Sequence, residues 1–285
     1  MKMQFNRYRN LKKYKEDVLS VLLEKETENN LPISILSNTD PTDTSEWLMS
    51  TITDEFETIQ LIALCTKPFN IVLSTPTDEY NSDCVKLLID ELSRINFNPP
   101  GVFAKTKLAR EFSENYLRKS SKSNQKTRVL SMMLMKLYKL NEYKKARGFY
   151  RLLTEEDLSY VPQWEQAFCV DCHLPAFSLA ENHERIRTRI DKNTHFIWVD
   201  SVPVAQAVHG RDTPNGAVIT WVYTPPLFRG RGYATTVVAE LSQSRLNNGK
   251  KFCCLFADAN NPASRSIYNK LGYKDIGAYE QIEYV

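Results

Sequence analysis

Ala217-Val218-Ile219-Thr220-Trp221-Val222-Tyr223-Thr224-Pro225-Pro226 is followed, two residues on, by Arg229-Gly230-Arg231-Gly232-Tyr233-Ala234. The first seven residues are mostly β-branched or aromatic, the composition of a strand. Pro225 and Pro226 end it, because proline brings no N–H to a ladder. Beyond the glycines, Ala234, Val237, Val238 and Leu241 fall at i, i+3, i+4 and i+7, one apolar face of a helix. The order is strand, double proline, Arg-Gly-Arg-Gly, helix. Glycine lets backbone N–H groups approach a phosphate closely, and a helix N-terminus offers unpaired N–H groups and the positive end of the dipole. Arg229 and Arg231 add positive charge. An isolated Gly-x-Gly is also a plain tight turn; in this order of elements it predicts an anion-binding loop.

The elements around this stretch are consistent with it. Phe149–Leu153 reads as a strand, and Thr154 as an N-cap followed by Glu155, Glu156 and Asp157, carboxylates that suit a helix start. A helix over 178–190 follows. Phe196–Val199 and Val202–Val208 read as strands joined at Asp200-Ser201, and Asn215-Gly216 as a hairpin turn. After a strand over Lys251–Ala257, Asn261 fits an N-cap, Pro262 the first helical position, and Gly272 the glycine past the helix end. Ala263, Ile267 and Leu271 share one face, with Tyr268 beside it. The last strands are expected at Tyr273–Ile276 and Tyr279–Val285. Eight of the nine glycines lie at or after Gly148; only Gly101 precedes it. The first half therefore has no material for a glycine-rich phosphate loop.

Two motifs carry a family resemblance. Arg229-Gly230-Arg231-Gly232-Tyr233-Ala234 resembles the Arg/Gln-x-x-Gly-x-Gly/Ala loop of the GNAT superfamily of acyl-CoA-dependent N-acetyltransferases. Asn261 to Tyr273 is similar to that superfamily's late helix, Asn-x-x-Ser/Ala-x-x-x-Tyr-x-x-x-Gly-Phe/Tyr. The resemblance covers about 148–285 and implies an α/β (α+β) fold, a mixed, mostly antiparallel sheet flanked by helices, whose strands part near Tyr223-Thr224-Pro225 with CoA in the gap. It implies that the N–H groups of Arg231, Gly232, Tyr233 and Ala234, with Arg229 and Gly230, hold the pyrophosphate. Val222, Tyr223 and Thr224 would pair with the pantetheine arm, and Asn261 and Ser264 would touch the cofactor. Tyr268 matches the tyrosine that often protonates the leaving thiolate. Family members often carry a glutamate on the strand before the loop to take the amine proton. Here that strand has no carboxylate, and His209, Asp258 and Glu283 are the available substitutes.

The first half echoes this order. Phe56–Cys65 and Thr66-Lys67-Pro68-Phe69 are similar to the strand ending at Tyr223-Thr224-Pro225. Residues 81–95 have helical spacing (Cys84, Leu87, Leu88, Leu92), Gly101–Ala104 reads as a strand, and Leu108–Arg118 as the late helix. Val129–Leu140 reads as a strand, although Met132-Met133-Leu134-Met135 is equally compatible with a helix. Phe69-Asn70-Ile71-Val72 replaces the glycine loop. The expected organisation is a tandem: 1–145 a degenerate GNAT-like domain without a CoA loop, 146–285 the N-acetyltransferase domain. An unrelated α/β domain is the alternative for the first half.

Composition narrows the function. With 285 residues, 42% hydrophobic and 25% charged, the chain is long enough for two folded domains, and dominant disorder is excluded. No apolar run approaches the ~18 residues of a membrane span. The basic Met1–Lys15 is not followed by an apolar segment and does not read as a secretory signal. Six cysteines then predict free thiols in a reducing compartment, the cytoplasm. Net charge is +3, and Lys105–Lys145 holds 12 basic and 3 acidic residues. Without a nucleic-acid motif this reads as a solvated face with a polar loop over 119–126, and nucleic acid is not an expected partner. Cys169-Val170-Asp171-Cys172-His173 has haem-attachment spacing, but without export neither haem nor metal is expected. The expected activity is acetyl transfer from acetyl-CoA to a primary amine, on a small molecule or peptide, by direct attack in a ternary complex. A CoA-binding module with little catalysis is the alternative, and a nucleic-acid-binding protein a more distant one.

Overall fold

The structure, a computed structural model, describes residues 2–38, 44–120, 125–175 and 177–285. Residues 121–124 of the expected polar loop lie outside these. The chain divides into two compact units, Met1–Leu134 with Gly277–Val285, and Met135–Ile276.

The first unit runs β1 (Gln4–Tyr8), α1 (Leu11–Glu24), α2 (Asn30–Asn38), β2 (Leu48–Thr53), β3 (Ile59–Cys65), β4 (Ile71–Ser74), α3 (Ser82–Arg94), β5 (Gly101–Lys105), α4 (Thr106–Lys119) and β6 (Thr127–Leu137), which ends in the second unit. From β1 to β5, neighbouring strands are antiparallel except β4 and β5, which are parallel. From Leu61 to Cys65, β3 is apolar because both its faces are covered. Ile62 and Leu64 pack with Tyr14, Val18 and Leu22 of α1; Leu61, Ala63 and Cys65 pack with Leu88, Leu92 and Phe112 from α3 and α4. Such a doubly covered strand loses the alternation of a half-exposed one. The methionine run is strand, in β6, with Leu134 and Met135 both buried.

The second unit runs β7 (Phe149–Leu152), a 3₁₀ turn at Glu155–Ser159, α5 (Val161–Asp171), α6 (Leu179–Asp191), β8 (His195–Asp200), β9 (Val202–His209), β10 (Gly216–Tyr223), α7 (Tyr233–Asn247), β11 (Phe252–Asp258) and α8 (Pro262–Leu271). The chain then enters β12 (Lys274–Tyr284). Two strands were expected there, and one continuous strand is found. Its part Tyr279–Glu283 pairs antiparallel with β5 and completes the first unit's sheet. Local caps behave as the sequence reads. Thr154 forms a capping box with Asp157, Asn261 Oδ1 accepts from Ser264 N at 3.1 Å, and Gly272 has φ +101°.

Asn215-Gly216 lies in a turn, but not for the expected reason. Gly216 is the first residue of β10, and a Cβ there would lie 2.4 Å from the Phe252 ring. Close packing on β11, rather than a left-handed turn, demands glycine. The correspondence drawn for the first unit also shifts by one strand. β2, β3 and β4 stand in the order of β8, β9 and β10, so β4 is the strand that leads to a helix and pairs parallel with the next strand, as β10 does. Residues 75–81, not Phe69–Val72, take the place of the glycine loop; Ile71 and Val72 belong to β4.

Candidate active site

The site begins with a defect in β10. On one side, Thr220 pairs with Val208 and Tyr223 with Gln206, so three steps on β10 face two on β9. The extra residue makes a β-bulge, with Trp221 at φ +52°. On the other side, parallel pairing with β11 runs from Gly216↔Phe252 to Val218↔Cys254 and goes no further. Beyond Val218 the strands part, and a cleft of ≈ 620 Å³ opens between them. That volume suits a cofactor-sized ligand.

The glycine loop forms the cleft's next wall. Gly230 and Gly232 both have positive φ, +78° and +83°, and Gly232 is the left-handed N-cap of α7. The first intrahelical bond is Thr236 N to Gly232 O, at 3.0 Å. The N–H groups of Tyr233, Ala234 and Thr235 precede it and have no intrahelical acceptor, and all three residues line the cleft. Thr235 was not singled out from sequence, although its place in the first helical turn was the available signal.

Of the residues expected at the site, Val222, Tyr223, Thr224, Arg229, Gly230, Gly232, Tyr233, Ala234, Asn261, Ser264 and Tyr268 line this cleft; Arg231 does not. Arg229 is held by protein groups. Its Nε donates to Thr224 O at 2.9 Å, and it pairs with Asp171 at 2.5 Å. Tyr233 donates to Asp200 at 2.6 Å, which keeps its phenol pKa above the ordinary value. Asn261 and Ser264 cap α8 while facing the cleft. Tyr268 is buried and packs edge-on to Tyr273, ring centroids 5.9 Å apart. Burial, with a smaller effect from Cys172, pushes its pKa well above the usual phenol value. It therefore stays a proton donor at neutral pH.

Phe168, Asp171 and Cys172, from the end of α5, also line the cleft. Sequence reading missed them because Cys-x-x-Cys-His draws attention to metal and haem rather than to a cleft wall. Cys169 is buried within α5, and Cys172 caps its end. Burial, then the charges of Asp258 and Asp171, push the Cys172 thiol up to about 11. A thiol held protonated is a poor nucleophile. Among the described residues no group of three or more His, Cys, Asp or Glu side chains is placed to hold a metal ion.

The three alternative proton acceptors separate. His209 is buried against Asp212, Nδ1 to Oδ1 3.4 Å. Glu283 belongs to the first unit and pairs with Arg128 at 2.5 Å. Asp258 ends β11, close enough to Cys172 for its charge to act on the thiol.

In the first unit the corresponding place beside β4 and β5 is filled. The cavity there is ≈ 20 Å³, the scale of one water molecule. Lys105 Nζ bridges Asp78 at 2.7 Å and Glu28 at 2.9 Å, and Lys25 reaches Asp78 at 2.8 Å. Five of the twelve basic residues of the stretch pair with carboxylates: besides Lys105, Arg110 pairs with Glu280, Lys119 with Asp90, Arg128 with Glu283 and Lys145 with Glu240. No helix among the described residues is long and apolar enough to cross a membrane.

Residues 201–283 match the family model described as FR47-like protein. No curated protein matches the chain. Several solved structures share its fold. A GCN5-related N-acetyltransferase from Sphaerobacter thermophilus is similar with TM-score 0.67 and 12% identity, over 99% of this chain and 95% of that one. A Drosophila protein is similar with TM-score 0.66 and 11% identity, over 99% and 98%. A GNAT-family acetyltransferase from Colwellia psychrerythraea is similar with TM-score 0.56 and 13% identity, over 99% and 100%. At such identities the likeness is one of fold, and it extends over both units. Over residues 201–283 the chain is similar to the FR47-like family, and as a whole it has the fold of GNAT-family acetyltransferases.

Proposed function

We propose that the protein transfers an acetyl group from acetyl-CoA to a primary amine, by direct attack in a ternary complex within the second unit. The observation that carries this reading is the meeting, in one cleft, of a parted strand edge, a glycine-capped helix N-terminus and a protonated tyrosine. Acetyl-CoA supplies the activated thioester carbonyl. The unpaired N–H groups of Tyr233, Ala234 and Thr235 receive the pyrophosphate, aided by the α7 dipole. Val222, Tyr223 and Thr224 offer backbone groups to the pantetheine amides along the free edge of β10. Arg229, tied to Thr224 and Asp171, orders the loop before the pyrophosphate rather than supplying an unpaired charge.

The amine nitrogen forms the new C–N bond as the C–S bond breaks. Tyr268 gives its proton to the departing sulfur, and Asp258, directly or through water, takes the proton lost by the amine. The high pKa of the Cys172 thiol favours direct transfer over an acyl-cysteine relay. The first unit, with its filled cavity, binds no CoA. A cytoplasmic, reducing location agrees with six free cysteines.

Steady-state kinetics of Tyr268→Phe test this reading against a primary-amine panel. Loss of the hydroxyl should lower kcat by roughly 10²-fold with acetyl-CoA affinity nearly intact, because general acids contribute ~10²–10⁴-fold. Phenylalanine keeps the ring in its contact with Tyr273. Full activity in this variant, at unchanged stability, would remove the hydroxyl from the mechanism.

A further inference from the structure

We propose that the Thr224 hydroxyl is a recognition group of the cleft, which donates to an amide carbonyl of the cofactor's pantetheine arm. This rests on the acetyl-transfer reading and adds a side-chain contact to the backbone pairing expected along β10. Thr224 is the first residue after β10 and lines the cleft. It is only 9% exposed, and its Oγ1 is buried with no hydrogen-bond partner. Among the described residues, no other buried side-chain atom left without a partner belongs to the lining of this cleft.

The sequence explains why this hydroxyl is alone. A threonine entering a turn commonly bonds its hydroxyl to the backbone N–H two residues on. Here residues 225 and 226 are both proline, and neither has an N–H. Partners across the sheet are missing as well. Pairing with β11 stops at Val218, and pairing with β9 reaches only Tyr223. The carbonyl of Thr224 accepts from Arg229 Nε at 2.9 Å, which fixes the backbone and leaves the hydroxyl unengaged. The first unit supplies the contrast. Thr75 is the first residue after β4 and lines the cavity of ≈ 20 Å³. One proline follows it, and its Oγ1 donates to Thr77 O at 2.7 Å. The threonine of the small cavity is thus satisfied within its own loop, and the threonine of the open cleft is not.

A buried hydroxyl without a partner destabilises a fold, and such groups are rare. A ligand that supplies the partner removes that cost on binding. The pantetheine arm carries secondary amides, whose carbonyls accept from a hydroxyl. A turn about Cα–Cβ from one staggered well to the next aims the hydroxyl without backbone movement.

Thr224→Val tests this, because it keeps the branched shape and removes only the hydroxyl. Binding of acetyl-CoA is compared by calorimetry with that of 3′-phospho-ADP, the nucleotide part of CoA without the arm. The variant should bind acetyl-CoA about tenfold more weakly, the scale of one hydrogen bond, and 3′-phospho-ADP as well as the unaltered protein does. Without ligand it should melt at a higher temperature, since an unpaired buried group has gone. Thr224→Ser, which keeps the hydroxyl, should retain most of the acetyl-CoA affinity. Unchanged acetyl-CoA affinity in Thr224→Val overturns the proposal and leaves the transfer reading standing. So does an equal loss for both ligands, which would mean a disturbed loop, or a lower melting temperature, which would mean that the hydroxyl has a partner in the free protein. If the unaltered protein binds no acetyl-CoA, the transfer reading itself fails, and this proposal with it.

Discussion

His195 shows how one side chain ties the second unit to pH. It lies in β8, fully buried, and burial together with the charge of Arg189 pushes its pKa down to about 3, against a partial offset from Gln206. The folded protein therefore keeps His195 neutral, while the unfolded chain takes up a proton below its ordinary pKa. The contribution to stability is complete above about pH 6.5 and is lost as pH falls toward the folded value, at ~1.4 kcal/mol per pH unit. Urea unfolding between about pH 6.5 and pH 5, above the range where carboxylates dominate, should show this slope. His195→Gln should flatten it. An unchanged slope in that variant would assign the acid sensitivity to other groups. At this scale much of the candidate site was legible in the sequence, since Tyr268, Asn261 and Gly232 were identified from their local neighbours. Phe168 and Cys172 were not, because their role depends on where the end of α5 comes to rest.

At the scale of elements, the N-terminus of α7 carries the anion site. Gly232 sits at φ +83° and ψ 2°, a conformation that costs other residues about 1 kcal/mol. A Cβ there meets nothing nearer than Ala146 Cβ at 4.0 Å, so space is not the constraint. Gly232→Ala should consequently lose some stability yet keep a reduced thermal shift with acetyl-CoA. Gly232→Glu, which sets a carboxylate before the same N–H groups, should abolish the shift. Equal shifts in the two variants would place the pyrophosphate elsewhere. The helix α8 was readable because a cap, a proline at the first position and a glycine past the end act over a few residues, and α7 from the apolar face of Ala234, Val237, Val238 and Leu241. The bulge at Trp221 was not. A bulge is a mismatch between two strands, and its register is set by β9, more than ten residues away.

At the scale of the molecule, two units of like topology differ in what they leave open: ≈ 620 Å³ beside β10 and β11, and ≈ 20 Å³ beside β4 and β5. Acetyl-CoA should therefore protect amides of 219–224 and 233–236 from hydrogen exchange and leave those of 71–80 and 101–105 unchanged. For amides that exchange only through opening of the binding site, ligand at 100 times its Kd should slow exchange about 100-fold. Protection of 71–80 would show that the first unit also binds the cofactor.

In the second unit, the order of strands and helices up to the late helix, and the glycine loop, follow from short-range rules, and the linear sequence was enough to determine them. So was the absence of a glycine loop in the first half, since a chain with only Gly101 before residue 148 has nothing from which to build one. Pairing across distance required the tertiary structure. β12 is one strand, and its end completes the first unit's sheet although it follows the second unit in sequence. β4, not the strand over 59–65, proved to be the counterpart of β10. Caps and turns are decided among neighbours along the chain, whereas sheet register and cleft walls are decided among residues that only folding makes neighbours.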